Sequence, residues 1–165
     1  MLKPIQSRKF RAGDSQFAIV ASQYNAPYVD AMLRAARTQL KRAGVRRIRI
    51  VRVPGAFEIP VVTAKLARTA NDASSDATLS AIICLGVILR GETTHAAHIG
   101  EAVSRALMEI QLRYEVPVIH EVLLLESEAQ ARVRCLGRTH NRGAEAAQTA
   151  LAMAQVMESL PGKGF

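Results

Sequence analysis

The feature that most constrains this chain is alternation: short apolar runs take turns with segments whose hydrophobic residues recur at helical spacing. Phe17-Ala18-Ile19-Val20-Ala21 reads as a buried strand, and Val29, Leu33, Ala36 and Leu40 then repeat with a helical period. Pro27 suits the first turn of that helix, where its missing N–H costs nothing, and Gly44 suits its C-terminal cap. Ile48, Ile50 and Val53 belong to a second strand, interleaved with Arg47, Arg49 and Arg52 and broken at Pro54-Gly55. A helix from Ile59 to Arg68, with Pro60 in its first turn, and a solvent loop over Asn71–Asp76 follow. The third strand, Leu79 to Leu85, is apolar apart from Ser80, as suits a strand covered on both faces. Gly86 to Thr94 reads as a loop. A long helix over His95–Tyr114 has Ile99, Val103, Ala106 and Ile110 as its buried stripe. A fourth strand over Val116–Leu125 and helices over Ser127–Cys135 and Ala144–Leu160 complete the pattern.

Strands separated by helices long enough to cross over predict a parallel sheet with helices on both faces. With 165 residues, 49% of them hydrophobic, the chain can bury one compact core. The expected organisation is an extended polar arm over residues 1–16 and a single α/β domain over 17–165. No apolar run reaches the roughly 18–20 residues of a membrane helix, so no membrane partner is expected. Met1–Gln16 lacks the apolar centre of a signal peptide. The two cysteines, Cys84 and Cys135, form no CxxC pair. A disulfide framework or zinc site is therefore not expected, and a reducing cytoplasm fits.

The net charge of +8 invites a nucleic-acid reading, centred on Arg34, Arg42, Arg46, Arg47, Arg49 and Arg52. No nucleic-acid motif accompanies the charge. Aromatics make up only 4% of residues and Trp is absent, so a base-stacking platform is poorly supplied. The cations are read instead as a solvated helix end and a strand with one polar face, and no nucleic-acid partner is expected. A basic field still draws in small anions.

In parallel α/β folds ligands bind at the carboxyl ends of strands. The three irregular segments Gln23–Pro27, Pro54–Glu58 and Gly86–His95 all fall there. Gly91-Glu92-Thr93-Thr94 precedes the long helix, where free N–H groups and the helix dipole attract anions. The same residues also suit an ordinary cap. At that helix start a neutral, base-competent ring is what the position favours for His95; a capping or surface role is the alternative. His98 has no third ligand at metal spacing, so no metal is expected. Pro54-Gly55-Ala56-Phe57-Glu58-Ile59-Pro60 forms a tight turn offering a ring and a carboxylate, either for a polyol or simply for a helix first turn.

Three stretches then resemble one family. Pro54–Pro60 is similar to the signature turn of lumazine synthases. Gly86-Val87-Ile88-Leu89-Arg90-Gly91-Glu92-Thr93-Thr94-His95 resembles their second motif. Glu128–Arg134, with Asn141-Arg142-Gly143-Ala144-Glu145-Ala146-Ala147, resembles the third. The likeness runs in order from about Phe17 to Met157. It implies a flavodoxin-like three-layer αβα sandwich with a four-stranded parallel sheet. It also implies condensation of 5-amino-6-(D-ribitylamino)uracil with 3,4-dihydroxy-2-butanone 4-phosphate to 6,7-dimethyl-8-ribityllumazine, without a cofactor.

By that resemblance His95 transfers protons, and Gly91, Glu92, Thr93 and Arg134 hold the phosphate. Ala56, Phe57 and Glu58 hold the ribityl chain and pyrimidine, and Val87, Ile88 and Leu89 read the pyrimidine edge. Tyr24 stands where the family usually stacks a Phe or Trp. His120 replaces a Phe that reaches into a neighbouring subunit's site, and Arg142 replaces a usual Lys. The family forms pentamers, many closing into sixty-subunit shells, and the turn from Leu136 to Arg142 has the length of shell-forming members. The arm would add a strand to a neighbour's sheet edge, and riboflavin synthase is a further partner the resemblance brings in. A non-catalytic flavin- or lumazine-binding or shell-forming protein is the alternative.

Overall fold

A computed structural model describes residues 15–70, 79–137 and 140–161. The element order is β1 (Gln16–Ser22), α1 (Ala26–Arg42), β2 (Arg47–Val53), a 3-10 turn (Ala56–Glu58), α2 (Ile59–Ala70), β3 (Leu79–Leu89), α3 (His95–Tyr114), β4 (Val118–Leu125), α4 (Glu128–Cys135) and α5 (Arg142–Ser159). The arm expected over 1–16 and the loop expected over 71–76 fall outside the described residues, except for Ser15 and Gln16.

All strand pairs are parallel, in the order β2-β1-β3-β4. Parallel neighbours cannot be joined by hairpins, so each connection carries a helix across a face. One layer holds α1, α4 and α5 over Phe17, Ile19, Ala21, Ile83 and Leu85. The other holds α2 and α3 over Ala18, Val20, Ile82 and Cys84. Alternate residues of β1 and β3 thus serve opposite cores, which is why Phe17–Ala21 and Ala81–Leu89 are apolar on both faces. Phe17, Ile19, Met32, Ile82, Ile83 and Leu85 are fully buried, each worth about 1.5–3 kcal/mol of transfer free energy.

Local chemistry sets the element ends. Gly44 adopts φ 88° just beyond α1, the left-handed conformation that favours glycine at a helix C-terminus. Pro27 and Pro60 both sit in first turns, as expected. Ser80 is the extra residue of a bulge: Gln16 pairs with Leu79 but Phe17 pairs with Ala81. β4 begins at Val118 rather than Val116, because Pro117 has no N–H to donate and the Val118 amide is taken by the Gln111 side chain. α5 begins at Arg142, two residues before the expected start, because the Asn141 carboxamide oxygen accepts from the Gly143 and Ala144 amides.

Three further expectations need correction. β3 continues through Leu89, since Val87, Ile88 and Leu89 pair with Leu123, Leu124 and Leu125. Gly86 is a strand residue in a confined place: a Cβ there would lie 3.1 Å from Val122 Cγ1 and 3.3 Å from Ile59 Cδ1. The buried stripe of α3 runs through Leu107 rather than Ala106. Arg52 is not part of a solvated face. It pairs with Asp30 on α1 and donates to the Ser22 carbonyl, bracing the end of β1.

Candidate functional site

The carboxyl ends of β1, β2 and β3 are stitched together by backbone geometry. The Gln23 amide reaches the Val53 carbonyl at 2.8 Å, and the Tyr24 amide reaches that of Pro54 at 3.0 Å. Asn25 then adopts φ 56°, ψ 39°, a left-handed conformation that Asn tolerates better than most residues. Its side-chain amide donates to the Val87 carbonyl at 2.8 Å. β1 pairs with β3 only as far as Ala21 and Leu85. Beyond that the β1-facing edge of Val87–Leu89 has no strand partner, and Asn25 takes one of its carbonyls. Nothing in the sequence pattern singled out Asn25; its one signal was an Asn directly after a strand and before a helix.

The Pro54–Glu58 turn packs against this junction. Glu58 Oε2 accepts from the Gly55 amide at 2.9 Å, leaving its other oxygen for a ligand hydroxyl. A Cβ on Gly55 would lie 3.0 Å from the Tyr24 ring, so glycine is what lets that ring lie on the turn. Tyr24 and Phe57 are 70% and 62% exposed, leaving two aromatic rings unburied at the same strand ends. The 3-10 turn of Ala56–Glu58 also contacts α3, β3 and β1.

The loop into α3 closes the group. Arg90 is held by Glu126 at 2.9 Å, and its amide by the Leu125 carbonyl. Gly91, Glu92, Thr93, Thr94 and His95 are all exposed. Gly91 has open space where a Cβ would stand. Thr94, the N-cap, makes no side-chain bond to the helix, and the Thr93 hydroxyl accepts from the His95 amide only at 3.4 Å. The first turn of a twenty-residue helix is thus left with amides for an anion.

Tyr24, Ala56, Phe57, Glu58, Val87, Ile88, Leu89, Gly91, Glu92, Thr93 and His95 therefore gather at one end of the sheet. Among the described residues no hydrogen bond or ion pair joins Arg134 or His120 to this group. His120 bonds Ser104 at 2.8 Å, nine residues along α3 from His95, or about 13 Å at 1.5 Å per residue. Arg134 lies in the last turn of α4, in the opposite layer from α3. It is exposed, has no carboxylate partner among the described residues, and stands near enough to Glu121 to favour its ionised form.

Glu121 was not anticipated. It is 4% exposed on β4 and bound by Arg142 Nε at 2.6 Å, while Arg142 Nη1 holds Glu145 at 2.9 Å. Burial raises its carboxyl above the usual range, and Arg142 partly offsets that. Both thiols are buried: burial pushes Cys84 up to about 12 and Cys135 up to about 11. Among the described residues no His, Cys, Asp and Glu cluster could hold a metal, and no helix is long and apolar enough to cross a membrane. A groove of about 460 Å³ between the β2 edge and α2, lined by Arg49, Val61, Lys65 and Arg68, lies away from the strand ends.

A 2-1-3-4 parallel sheet that collects exposed rings and open backbone at its topological switch point defines a flavodoxin-like α/β protein built to bind small molecules. Similarity to known proteins narrows the class. Residues 14–158 match the family model for 6,7-dimethyl-8-ribityllumazine synthase. The protein of that name from Stenotrophomonas maltophilia (strain R551-3) is 38% identical over 149 residues, covering 89% of this chain and 92% of its own length. The one from Xanthomonas oryzae pv. oryzae (strain PXO99A) is 37% identical over 153 residues, covering 92% and 95%. The chain belongs to the 6,7-dimethyl-8-ribityllumazine synthase family.

Proposed function

We propose that this chain is a transferase of riboflavin biosynthesis that condenses 5-amino-6-(D-ribitylamino)uracil with 3,4-dihydroxy-2-butanone 4-phosphate. The products are 6,7-dimethyl-8-ribityllumazine, phosphate and water. The observation that carries this reading is the position of the family-like stretches. Two of them supply the exposed groups at one set of strand ends, and the third supplies the unpaired Arg134.

The chemistry asks for positioning and proton movement. The pyrimidine's amine attacks the ketone, water leaves to give an imine, phosphate is eliminated, and ring closure releases water again. Tyr24 and Phe57 offer faces for the pyrimidine. Glu58 accepts from ribityl hydroxyls through its uncommitted oxygen, beside Ala56. The open edge of Val87, Ile88 and Leu89 pairs with the ring's amide groups. The amides around Gly91, Glu92 and Thr93, with the Arg134 guanidinium, hold the phosphate dianion and stabilise it as it leaves. His95 carries protons between the amine, the carbinolamine oxygen and the leaving groups. Holding both substrates in one pocket supplies much of the acceleration. No step needs a redox cofactor.

Arg134 on α4 and His120 on β4 make no bond to the strand-end group, which supports a complete site built between neighbouring copies. A homo-oligomer, the pentamer or a sixty-subunit shell of pentamers, follows from that requirement and from the family resemblance. Residence in the cytoplasm and association with riboflavin synthase accompany the same reading. The test is direct. The purified protein is given both substrates, and lumazine fluorescence and released phosphate are followed together. One phosphate per lumazine, with strict dependence on both substrates, is expected. Tight lumazine or flavin binding without turnover would replace this reading with a non-catalytic binder.

A further inference from the structure

A continuous set of polar contacts runs from the buried centre of β4 to the helix that carries Arg134. It starts at Glu121, whose side chain has only 6% of its surface exposed and sits in the layer of α1, α4 and α5. Its Oε1 accepts from Arg142 Nε at 2.6 Å. Arg142 is the first residue of α5, and its Nη1 also donates to Glu145 one turn on, at 2.9 Å. Arg142 is thereby committed to two carboxylates. Asn141, its neighbour in sequence, faces both ways: its Oδ1 caps the start of α5 and its Nδ2 donates to the Cys135 carbonyl at the end of α4. Cys135 is fully buried and adjoins Arg134. The turn between these two helices is thereby tied by polar contacts to the sheet at Glu121.

Charge tells the same story. Among the described residues, the guanidiniums of Arg134 and Arg142 flank the turn. Glu121 and Glu145 occupy Arg142, while Arg134 has no carboxylate partner among the described residues. One cation is a strut and the other is left for an anion.

We propose that Glu121 is a positioning residue for phosphate binding: through Arg142 and Asn141 it fixes the α4–α5 turn so that Arg134 presents its guanidinium at a set place. The inference rests on the phosphate role assigned to Arg134 above. It gives the acid at 121 a task that neither burial nor fold stability demands, since an apolar residue would fill a strand position facing this core more easily.

The test is steady-state kinetics on the assembled protein, with each substrate varied in turn, for Glu121→Ala, Glu121→Gln and Arg134→Ala. Glu121→Ala removes the acceptor and is expected to raise KM for the phosphorylated ketone about tenfold, with KM for the pyrimidine and kcat within about twofold. Glu121→Gln keeps an oxygen for Arg142 Nε and is expected to restore most of that loss, which a purely electrostatic role would not allow. If Glu121→Ala does not assemble, Arg142→Gln makes the same cut from α5 at a half-buried position, with the same expected split. An unchanged ketone KM, or equal rises for both substrates, overturns the proposal. Arg134→Ala separates the two levels. If it raises ketone KM while Glu121→Ala and Arg142→Gln do not, only the positioning role fails; if it does not, the phosphate role itself fails.

Discussion

Ser104 of α3 and His120 of β4 meet at 2.8 Å, and the direction of that bond is set by a second one. The Ser104 hydroxyl also lies 2.8 Å from the Gly100 carbonyl, which can only accept. A hydroxyl has one proton to give, so the imidazole Nε2 is the donor to Ser104. His120 is thus held on the α3 face of the edge strand, with Nδ1 left for another partner. Its distance from His95 along α3 leaves it outside the site of its own chain. Under the proposed function, a neighbouring copy is where its ring would find a ligand.

The proposed function gives proton transfer and phosphate binding to different residues, so their loss should separate kinetically. His95→Ala is expected to lower kcat about 100-fold with both KM values nearly unchanged, as removal of a general acid–base group does. Arg134→Ala is expected to raise ketone KM about 10- to 100-fold, the worth of a charge-assisted bond to phosphate. Varying each substrate in turn checks both. Equal losses for ketone and pyrimidine in Arg134→Ala would remove it from the phosphate site.

Glu121 gives stability a pH signature. Its folded-state carboxyl is raised above the ordinary value of 4.5, with burial the main cause and Arg142 opposing it. The folded state therefore holds this proton more tightly than the unfolded chain. That contribution is fully present below 4.5 and is lost as pH rises through the folded value. Glu121→Gln has no such group, so the Tm of the variant minus that of the parent should climb as pH rises above 4.5. Thermal unfolding across a pH series measures it; a difference that stays flat contradicts the assignment.

Gly143 is where α5 lies on α1. A Cβ there would stand 2.0 Å from the Met32 carbonyl oxygen, a backbone atom that cannot rotate away. Gly143→Ala must push the helices apart, and a loss of about 1–3 kcal/mol or more is expected. Urea unfolding would show it. Because Arg142 and Asn141 precede this glycine, ketone binding should weaken in the same variant.

The thiols should be silent in the native protein. Cys84 and Cys135 are both fully buried, and their pKa values are pushed up to about 12 and about 11. Thiolate is the reactive form. Alkylation at pH 8 should therefore modify neither until the chain unfolds, and then both. Fast modification of either in the native state would contradict the packing.

The sheet was legible in the chain because β1 and β3 are buried on both faces and read as unbroken apolar runs. The ends of α1 were legible too, since Pro27 and Gly44 act locally. Gly86 misled for the opposite reason. A glycine after an apolar run looks like a strand end, and only the proximity of Val122 and Ile59, 36 and 27 residues away, shows why it must be glycine within a strand. Arg52 was misread likewise: alternation predicts its face but not its partner on α1. The family-like stretches named the groups at the strand ends, because those groups lie on short contiguous turns. The pairing of Glu121 with Arg142 joins residues with no local pattern between them, so it emerged only with the fold.

In the proposed assembly each site draws His95 from one copy and Arg134 from the next, and co-assembly of two variants reads this out. His95→Ala and Arg134→Ala chains, each weakly active alone, are unfolded, mixed in equal amounts and reassembled. An interface that takes its His95 side from an Arg134→Ala chain and its Arg134 side from a His95→Ala chain is intact. Random mixing in a closed ring makes about one quarter of interfaces so. Recovery of about a quarter of the parent activity is the expected result. Activity that stays at the average of the two separate variants would contradict a site shared between neighbours.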